Sequence, residues 1–365
     1  MFLIKEVNNF DELLTLKEEW NNIVEKSQGS TIFQTFEWLY NYSKHFSTKN
    51  SLLILLAFYE DKLIGIAPLQ KLKYNRFGIF RQKKITFIGE VFSEYNDFII
   101  YSEYFFSAIN SFLQYLSENY SDYYLDLRDI PIESITNTFF IKQTRYFKIE
   151  LKSEVYLFVN TSGNIKDYLS KYSKKTIQTL KSKIKKLQEL NSEFTFCNYI
   201  DENDFLKLIE YNLYRQNKKH LISFFQNENN ISFIHQIVKE YNNSSFLLYS
   251  LCQIDNQTKS IYLCFLFNNK VYFYLSGFDL EFKKYSLGMV HLHKILEYCF
   301  NNNIYEFDFM RGSDDYKFRF HPEKRYLKRY LININNNFFV TILFIFIKLK
   351  KIFNETFFNK NIIVF

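Results

Sequence analysis

The sequence predicts a mixed α/β protein made of two similar lobes, each a mostly antiparallel sheet flanked by helices. Three observations predict it. The order of elements repeats, with amphipathic helices, an antiparallel meander and then a helix and a strand in residues 1–150 and again in 151–335. A chain of 365 residues is too long for one ordinary core and suits two domains of common size. Hydrophobic residues make up 47% of it, which supports packed cores and argues against long disorder.

In the first lobe, Leu13, Leu16, Trp20, Ile23 and Val24 share one face of a helix expected over Asp11 to Lys26, with Asn9 and Glu12 spaced as a capping box. A second helix is expected from Phe36 to His45. Leu52 to Tyr59 and Leu63 to Leu69 flank Glu60-Asp61-Lys62 and read as a hairpin. Strands near Lys84 to Ile88 and Asp97 to Tyr101, a helix from Phe105 to Glu118 and a strand from Tyr123 to Leu127 complete the lobe.

The second lobe opens with a long basic helix, Lys166 to Leu190, and a helix starting at Asp201 with Phe205, Leu208, Ile209 and Leu213 on one face. Ile231, Ile234, Ile237, Val238 and Tyr241 mark a third helix. Phe246 to Ile254, Ser260 to Phe267 and Val271 to Ser276 form the meander, with Asn268-Asn269 at its second turn. A helix from Leu287 to about Asn301 and a buried strand from Ile304 to Phe309 close it. Residues 336–365 read as a separate tail helix. The run Phe338 to Ile347 falls well short of the roughly 20 apolar residues a span requires. Lys348, Lys350 and Lys351 follow, then Phe353, Phe357 and Phe358, so the tail either packs on the preceding domain or lies on an anionic membrane surface.

The chemistry concentrates in the last third. There Gly277-Phe278-Asp279 precedes Tyr285-Ser286-Leu287-Gly288 and a helix, and Phe307-Asp308-Phe309-Met310-Arg311-Gly312 runs on to Tyr316-Lys317. A strand that opens into a turn and a helix N-terminus aims backbone N–H groups and the positive helix end at one spot, which suits a phosphate. With Ile32-Phe33-Gln34-Thr35-Phe36-Glu37-Trp38-Leu39, Ala67-Pro68-Leu69, Phe87-Ile88-Gly89 and Glu94-Tyr95-Asn96-Asp97-Phe98 in order, residues 30 to 320 resemble the CelD/BcsL-type acetyltransferases of the GNAT superfamily.

That resemblance implies tandem GNAT-like lobes with a boundary near residue 150, and transfer of an acyl group, in the first place acetyl, from acyl-CoA to an amine or hydroxyl of a sugar or envelope-polysaccharide precursor. The loop Glu281 to Met289 is the candidate coenzyme A pyrophosphate site, with Lys283, Lys284, Tyr285, Ser286, Leu287, Gly288 and Met289, and Gly277 at the end of the strand before it. It departs from the Gln/Arg-x-x-Gly-x-Gly/Ala loop of many such enzymes; an ordinary strand-to-helix turn is the competing assignment. Direct transfer requires a base and an acid rather than a covalent nucleophile. Asp97 is the candidate base with Glu37 in reserve, and a capping or turn role competes for both. Tyr285 or Tyr316 is the candidate acid. Gln34, Trp38, Tyr95, Asp308, Arg311 and Lys317 are candidates for holding the acceptor.

Other classes are disfavoured. Cys197, Cys252, Cys264 and Cys299 are too dispersed for a disulfide framework, and no signal peptide is apparent, which together predict a cytoplasmic setting. The six histidines lack partners at metal-ligand spacing, so no metal is expected. A formal charge of +7 falls short of a dedicated nucleic-acid binder. Lys171, Lys174, Lys175, Lys181, Lys183, Lys185 and Lys186 nevertheless form a run without an acidic residue among them. It keeps open a Fem-type transferase that takes its acyl group from aminoacyl-tRNA. A non-catalytic scaffold that binds a partner or a membrane through the tail is the remaining alternative.

Overall fold

The computed structural model describes residues 2–48, 50–76, 80–90 and 92–357. Its elements run β1 (Phe2–Val7), α1 (Lys17–Lys26), α2 (Phe36–Phe46), β2 (Leu52–Tyr59), β3 (Lys62–Arg76), β4 (Phe80–Phe87), β5 (Ile99–Ile100), α3 (Phe105–Asn119), β6 (Tyr124–Pro131), α4 (Ile135–Lys142) and β7 (Phe147–Asn160). They continue with α5 (Ile165–Ser170), α6 (Lys174–Gln188), β8 (Ser192–Cys197), α7 (Glu202–Lys218), α8 (Glu228–Tyr241), β9 (Leu247–Ile254), β10 (Gln257–Phe267), β11 (Lys270–Phe278), α9 (Leu287–Asn301), β12 (Glu306–Arg311), α10 (Asp315–Phe318), β13 (Glu323–Asn333) and α11 (Phe338–Phe357).

The chain divides into two compact units. The first takes in the chain up to Ser43, Ser47–Ser153 and the chain from Tyr326 onward; the second takes in Lys44–Phe46 and Glu154–Arg325. This corrects the expected boundaries. The second lobe stops at Arg325 rather than 335, and the tail is part of the first unit. The cause is that β7 and β13 each carry the chain from one unit into the other.

In the first unit the sheet order is β1-β2-β3-β4-β6-β13, with β5 paired to β3. Its neighbours are antiparallel except β4 and β6, which are parallel at Lys84–Ile85 against Tyr124–Leu125. In the second the order is β7-β12-β11-β10-β9-β8, again antiparallel save one pair, β11 with β12. Each unit thus repeats one scheme: a meander, a crossover helix (α3 or α9) and a parallel strand.

Local chemistry explains most boundaries. Glu60 and Asp61 take positive φ, as do Asn268 and Asn269, the tight hairpin geometry that Asn and Asp tolerate best. Two expected helices are broken. Phe10–Leu16 is a 3₁₀ turn leading into α1, with the Asn9 side chain accepting from the Asp11 N–H at 3.0 Å. The helix expected from Lys166 splits at Ser173, whose hydroxyl accepts from the Thr176 N–H at 3.1 Å and starts α6 afresh.

Candidate functional site

The second unit's chemistry is organised by the point where β11 and β12 separate. Their parallel pairing covers Lys270, Val271 and Tyr272 against Glu306, Phe307 and Asp308, after which β11 runs on to Phe278. Opposite β7 the register of β12 slips between Asp308 and Arg311, and Met310 takes φ 63°, so β12 bulges there. Asp308 holds the bulge from below. Its buried carboxylate accepts the Met310 N–H at 2.7 Å and receives Arg325 at 3.3 Å, while Arg325 also grips both oxygens of Glu306. Lys317, 3% exposed, closes it from above by donating to the carbonyls of Arg311 at 2.7 Å, Gly312 at 3.1 Å and Met310 at 3.4 Å. Asp308 and Lys317 were expected to hold the acceptor. In this structure both are engaged with the backbone, because a bulge leaves main-chain groups that need partners. Arg311 donates from Nε to the Tyr156 hydroxyl at 3.1 Å.

Helix α9 begins beside this opening. Ser286 occupies the left-handed region at φ 58°, and its carbonyl accepts from Met289 and Val290. Of the first-turn N–H groups, that of Met289 is already taken by the Ser286 carbonyl, while those of Leu287 and Gly288 precede the first intrahelical acceptor, as in any helix. Leu287 is buried against Leu187, Cys252, Ile254 and Val290, which fixes where the turn points. A Cβ at Gly288 would lie 3.0 Å from the Phe278 ring, so this glycine lets the helix approach the end of β11. Gly277 is explained by packing on another helix: a Cβ there would lie 2.8 Å from the Leu208 carbonyl of α7. Lys183 of α6 donates to the Lys284 carbonyl at 2.6 Å, which brings the basic helix up to Lys283 and Lys284. Lys283 and Lys284 are exposed, and the Lys284 ammonium sits 5.1 Å from the centre of the half-buried Tyr285 ring.

Three groups that sequence reasoning missed or left unconnected complete the cluster. Tyr262 of β10 donates to the Gly288 carbonyl at 2.9 Å. Arg215 of α7 lies over the Phe278 ring at 5.3 Å, and its Nη2 reaches the Ser276 carbonyl at 3.4 Å, while its buried Nε has no hydrogen-bond partner among the described residues. Tyr316 packs against Phe309. Burial pushes the Tyr262 and Tyr316 phenols well up, with Asp314 adding to the rise at Tyr316, and the positive charge of Arg215 acts against the shift at both. Arg215 was hidden in the sequence because one arginine near a helix end resembles any C-terminal charge.

The segment that holds this arrangement has relatives. Residues 174–318 match the acetyltransferase (GNAT) domain family. No curated protein matches the sequence. Among solved structures, FemX is similar at a TM-score of 0.62 with 10% identity, covering 90% of this chain and 98% of its own. A conserved protein of unknown function from Bacteroides thetaiotaomicron gives 0.56 at 10% identity, over 91% of this chain and 99% of that one. L-PGS from Bacillus licheniformis gives 0.54 at 10% identity, over 90% and 95%. At such identity the likeness is one of fold. The GNAT segment contains both the strand opening and the α9 turn.

The first-unit candidates lie outside the GNAT segment, and their side chains have structural tasks. Gln34 donates to the Tyr95 carbonyl at 2.9 Å and accepts from the Thr31 N–H at 2.7 Å, which spends both ends of its amide. Trp38 donates to Ser93 at 2.9 Å, and Tyr95 is buried with φ 58°. Glu37 accepts from Asn21 at 2.9 Å and pairs with Lys17 at 2.9 Å. Asp97 is buried and accepts from the Phe98 N–H at 2.7 Å and from the Thr136 hydroxyl. Burial pushes its carboxyl up to about 7, with Thr136 and the Phe98 N–H acting against the shift. Such a pKa suits a base, and the enclosing hydrogen bonds suit a loop anchor, the two roles that compete for this residue. His291 of α9 bridges Ser250 and Ser260 at 2.8 Å each, deep in the second unit, and burial lowers it to about 3. Among the described residues no group of His, Cys, Asp and Glu is arranged to hold a metal ion.

Proposed function

We propose that the second unit is an acyltransferase domain that takes an acyl group, in the first place acetyl, from acyl-CoA. The observation that carries this reading is the separation of β11 from β12 beyond Tyr272 and Asp308, directly beside the α9 N-terminus. Strand edges released from pairing suit an extended chain bearing amides, such as the arm of coenzyme A. The first turn of α9, with Ser286, Leu287, Gly288 and Met289, and the flanking Lys283, Lys284 and Lys183 suit its pyrophosphate. The acceptor's amine or hydroxyl attacks the thioester carbonyl, the new C–N or C–O bond forms, the C–S bond breaks, the proton that the acceptor group loses passes to water, and the leaving thiolate takes a proton. Tyr316, kept protonated by burial, is our candidate donor of that proton, with Tyr285 second. Arg215 and Arg311 suit an anionic group on the acceptor, which we assign to a sugar or envelope-polysaccharide precursor by resemblance.

A second reading is a transferase that takes its acyl group from aminoacyl-tRNA. The exposed lysines of α6, Lys174, Lys175, Lys181, Lys185 and Lys186, and the likeness to FemX favour it. Thermal unfolding with acetyl-CoA and, separately, with bulk tRNA distinguishes the two. Acetyl-CoA at about 100 times its dissociation constant is expected to add about 2.7 kcal/mol, and the K283E/K284E double variant is expected to lose most of that gain. Stabilisation by tRNA alone moves the assignment to the second reading, and silence from both overturns the two together.

A further inference from the structure

Helix α11 is apolar on two faces, and among the described residues only one of them is covered. Its start is fixed firmly: Asn337 accepts from the N–H groups of Phe339 and Val340, and Asn333 bonds in turn to the backbone of Asn337 and to Thr341. Val340 and Phe344 then pack on Tyr124, Ile149 and Leu331 of the first unit. The outward side carries Phe338, Phe339, Ile345, Phe346 and Leu349, with Phe339 76% and Phe346 67% exposed. A helix that only covers a core carries polar residues there.

We infer that this outward face seats the first unit on the surface of an anionic lipid bilayer, with α11 lying along the interface. Charge and shape together select that occupant. Exposed Lys348 is followed by Lys350 and Lys351, and no acidic residue occurs between Phe338 and Lys351. Aromatic and aliphatic side chains beside lysines form the pattern of an interfacial helix, whose lysines meet lipid phosphates while its rings enter the acyl boundary. A groove of about 540 Å³ beside the helix is lined by Phe147, Thr341, Ile345 and Leu349 with Lys348, placing an ammonium next to an apolar slot. A second copy of the chain would set the same cationic stretch, Lys348 to Lys351, against itself. Among the described residues no helix is long and apolar enough to cross a membrane, so the contact is parallel to the surface.

Co-sedimentation of the full chain with vesicles tests this. Binding is expected to vesicles of phosphatidylcholine mixed with phosphatidylglycerol, more weakly to phosphatidylcholine alone, and to decline as salt rises. The double variant F339D/F346D is expected to lose binding at least about tenfold, and K348E several-fold. Both alter exposed side chains, and unchanged melting curves establish that the variants are folded. Absence of binding to either vesicle, or binding indifferent to F339D/F346D, overturns the inference. So does self-association of the free protein, seen by sedimentation equilibrium and abolished by F346D, because a second copy then covers the face.

Discussion

Asp97 and His291 show what the protein does with single titratable groups it encloses. Asp97 has its folded pKa raised to about 7, so the folded state holds a proton that the unfolded chain releases near 4. Its burial therefore costs least at low pH, and stability declines as pH rises from about 4 to about 7. The near-isosteric Asp97→Asn keeps an acceptor for Phe98 and Thr136 and removes that dependence. Urea unfolding at pH 5 and pH 8 should show the variant gaining on the parent by roughly 1–3 kcal/mol more at the higher pH. His291 has the opposite sign. It is neutral between two serines, its contribution is complete above about 6.5, and it is lost as pH falls toward 3, because the unfolded chain then binds the proton that the fold excludes. If the variant's advantage over the parent were the same at both pH values, Asp97 would not be protonated in the fold.

At the scale of elements, α7 lies close to β11 because Gly277 has no side chain. A methyl at that position meets the Leu208 carbonyl and the Tyr211 Cβ, both at 2.8 Å, and neither is the free end of a flexible chain. Gly277→Ala should cost about 1–3 kcal/mol and lift α7, carrying Arg215 away from Phe278, Tyr262 and Tyr316. A variant that melts like the parent and responds equally to acetyl-CoA would show that α7 is not held by this contact. The motif Phe307-Asp308-Phe309-Met310-Arg311-Gly312 teaches a related lesson. As a string it looks like a set of ligands; as an element it is a bulge, with its carboxylate and the following lysine spent on its own backbone.

At the scale of the whole molecule, the first unit is completed by the end of the chain. Leu327 to Ile332 of β13 pair with β6, and Arg329 places its guanidinium on buried Asp126 at 2.6 and 2.9 Å. Burial alone would raise that carboxyl, but Arg329, Lys84 and Arg128 hold it down at about 2. Ending the chain after Arg325 removes the part of β13 that pairs with β6, α11 and this guanidinium together and exposes the edge of β6. We expect the first unit of such a truncation to be digested rapidly in limited proteolysis while a fragment spanning Glu154–Arg325 persists. Equal resistance of both units would refute the dependence of the first on the returning strand.

The sequence by itself determined the two-lobed α/β plan, the meanders, their Asp and Asn turns and the helix that follows each meander. Those are set by short-range rules, period and turn chemistry, which act between residues close in the chain. It also made the Tyr285-Ser286-Leu287-Gly288 turn visible, because a helix start is a local event. It did not disclose that β7 and β13 connect the units, since a strand's partners lie far away in sequence and a returning strand carries no mark of its destination. Tertiary structure alone decided which polar residues are spent. Gln34, Glu37, Asp97 and Asp308 are chemically suited to a site, but each also bonds a residue distant in the chain, respectively Tyr95, Asn21, Thr136 and Arg325, while Lys317 turns back on the backbone of its own segment and Arg215 acquires its place from the packing of α7 on β11. Whether a charged group is available or committed depends on desolvation and on partners brought from elsewhere in the chain, and a linear string encodes neither locally.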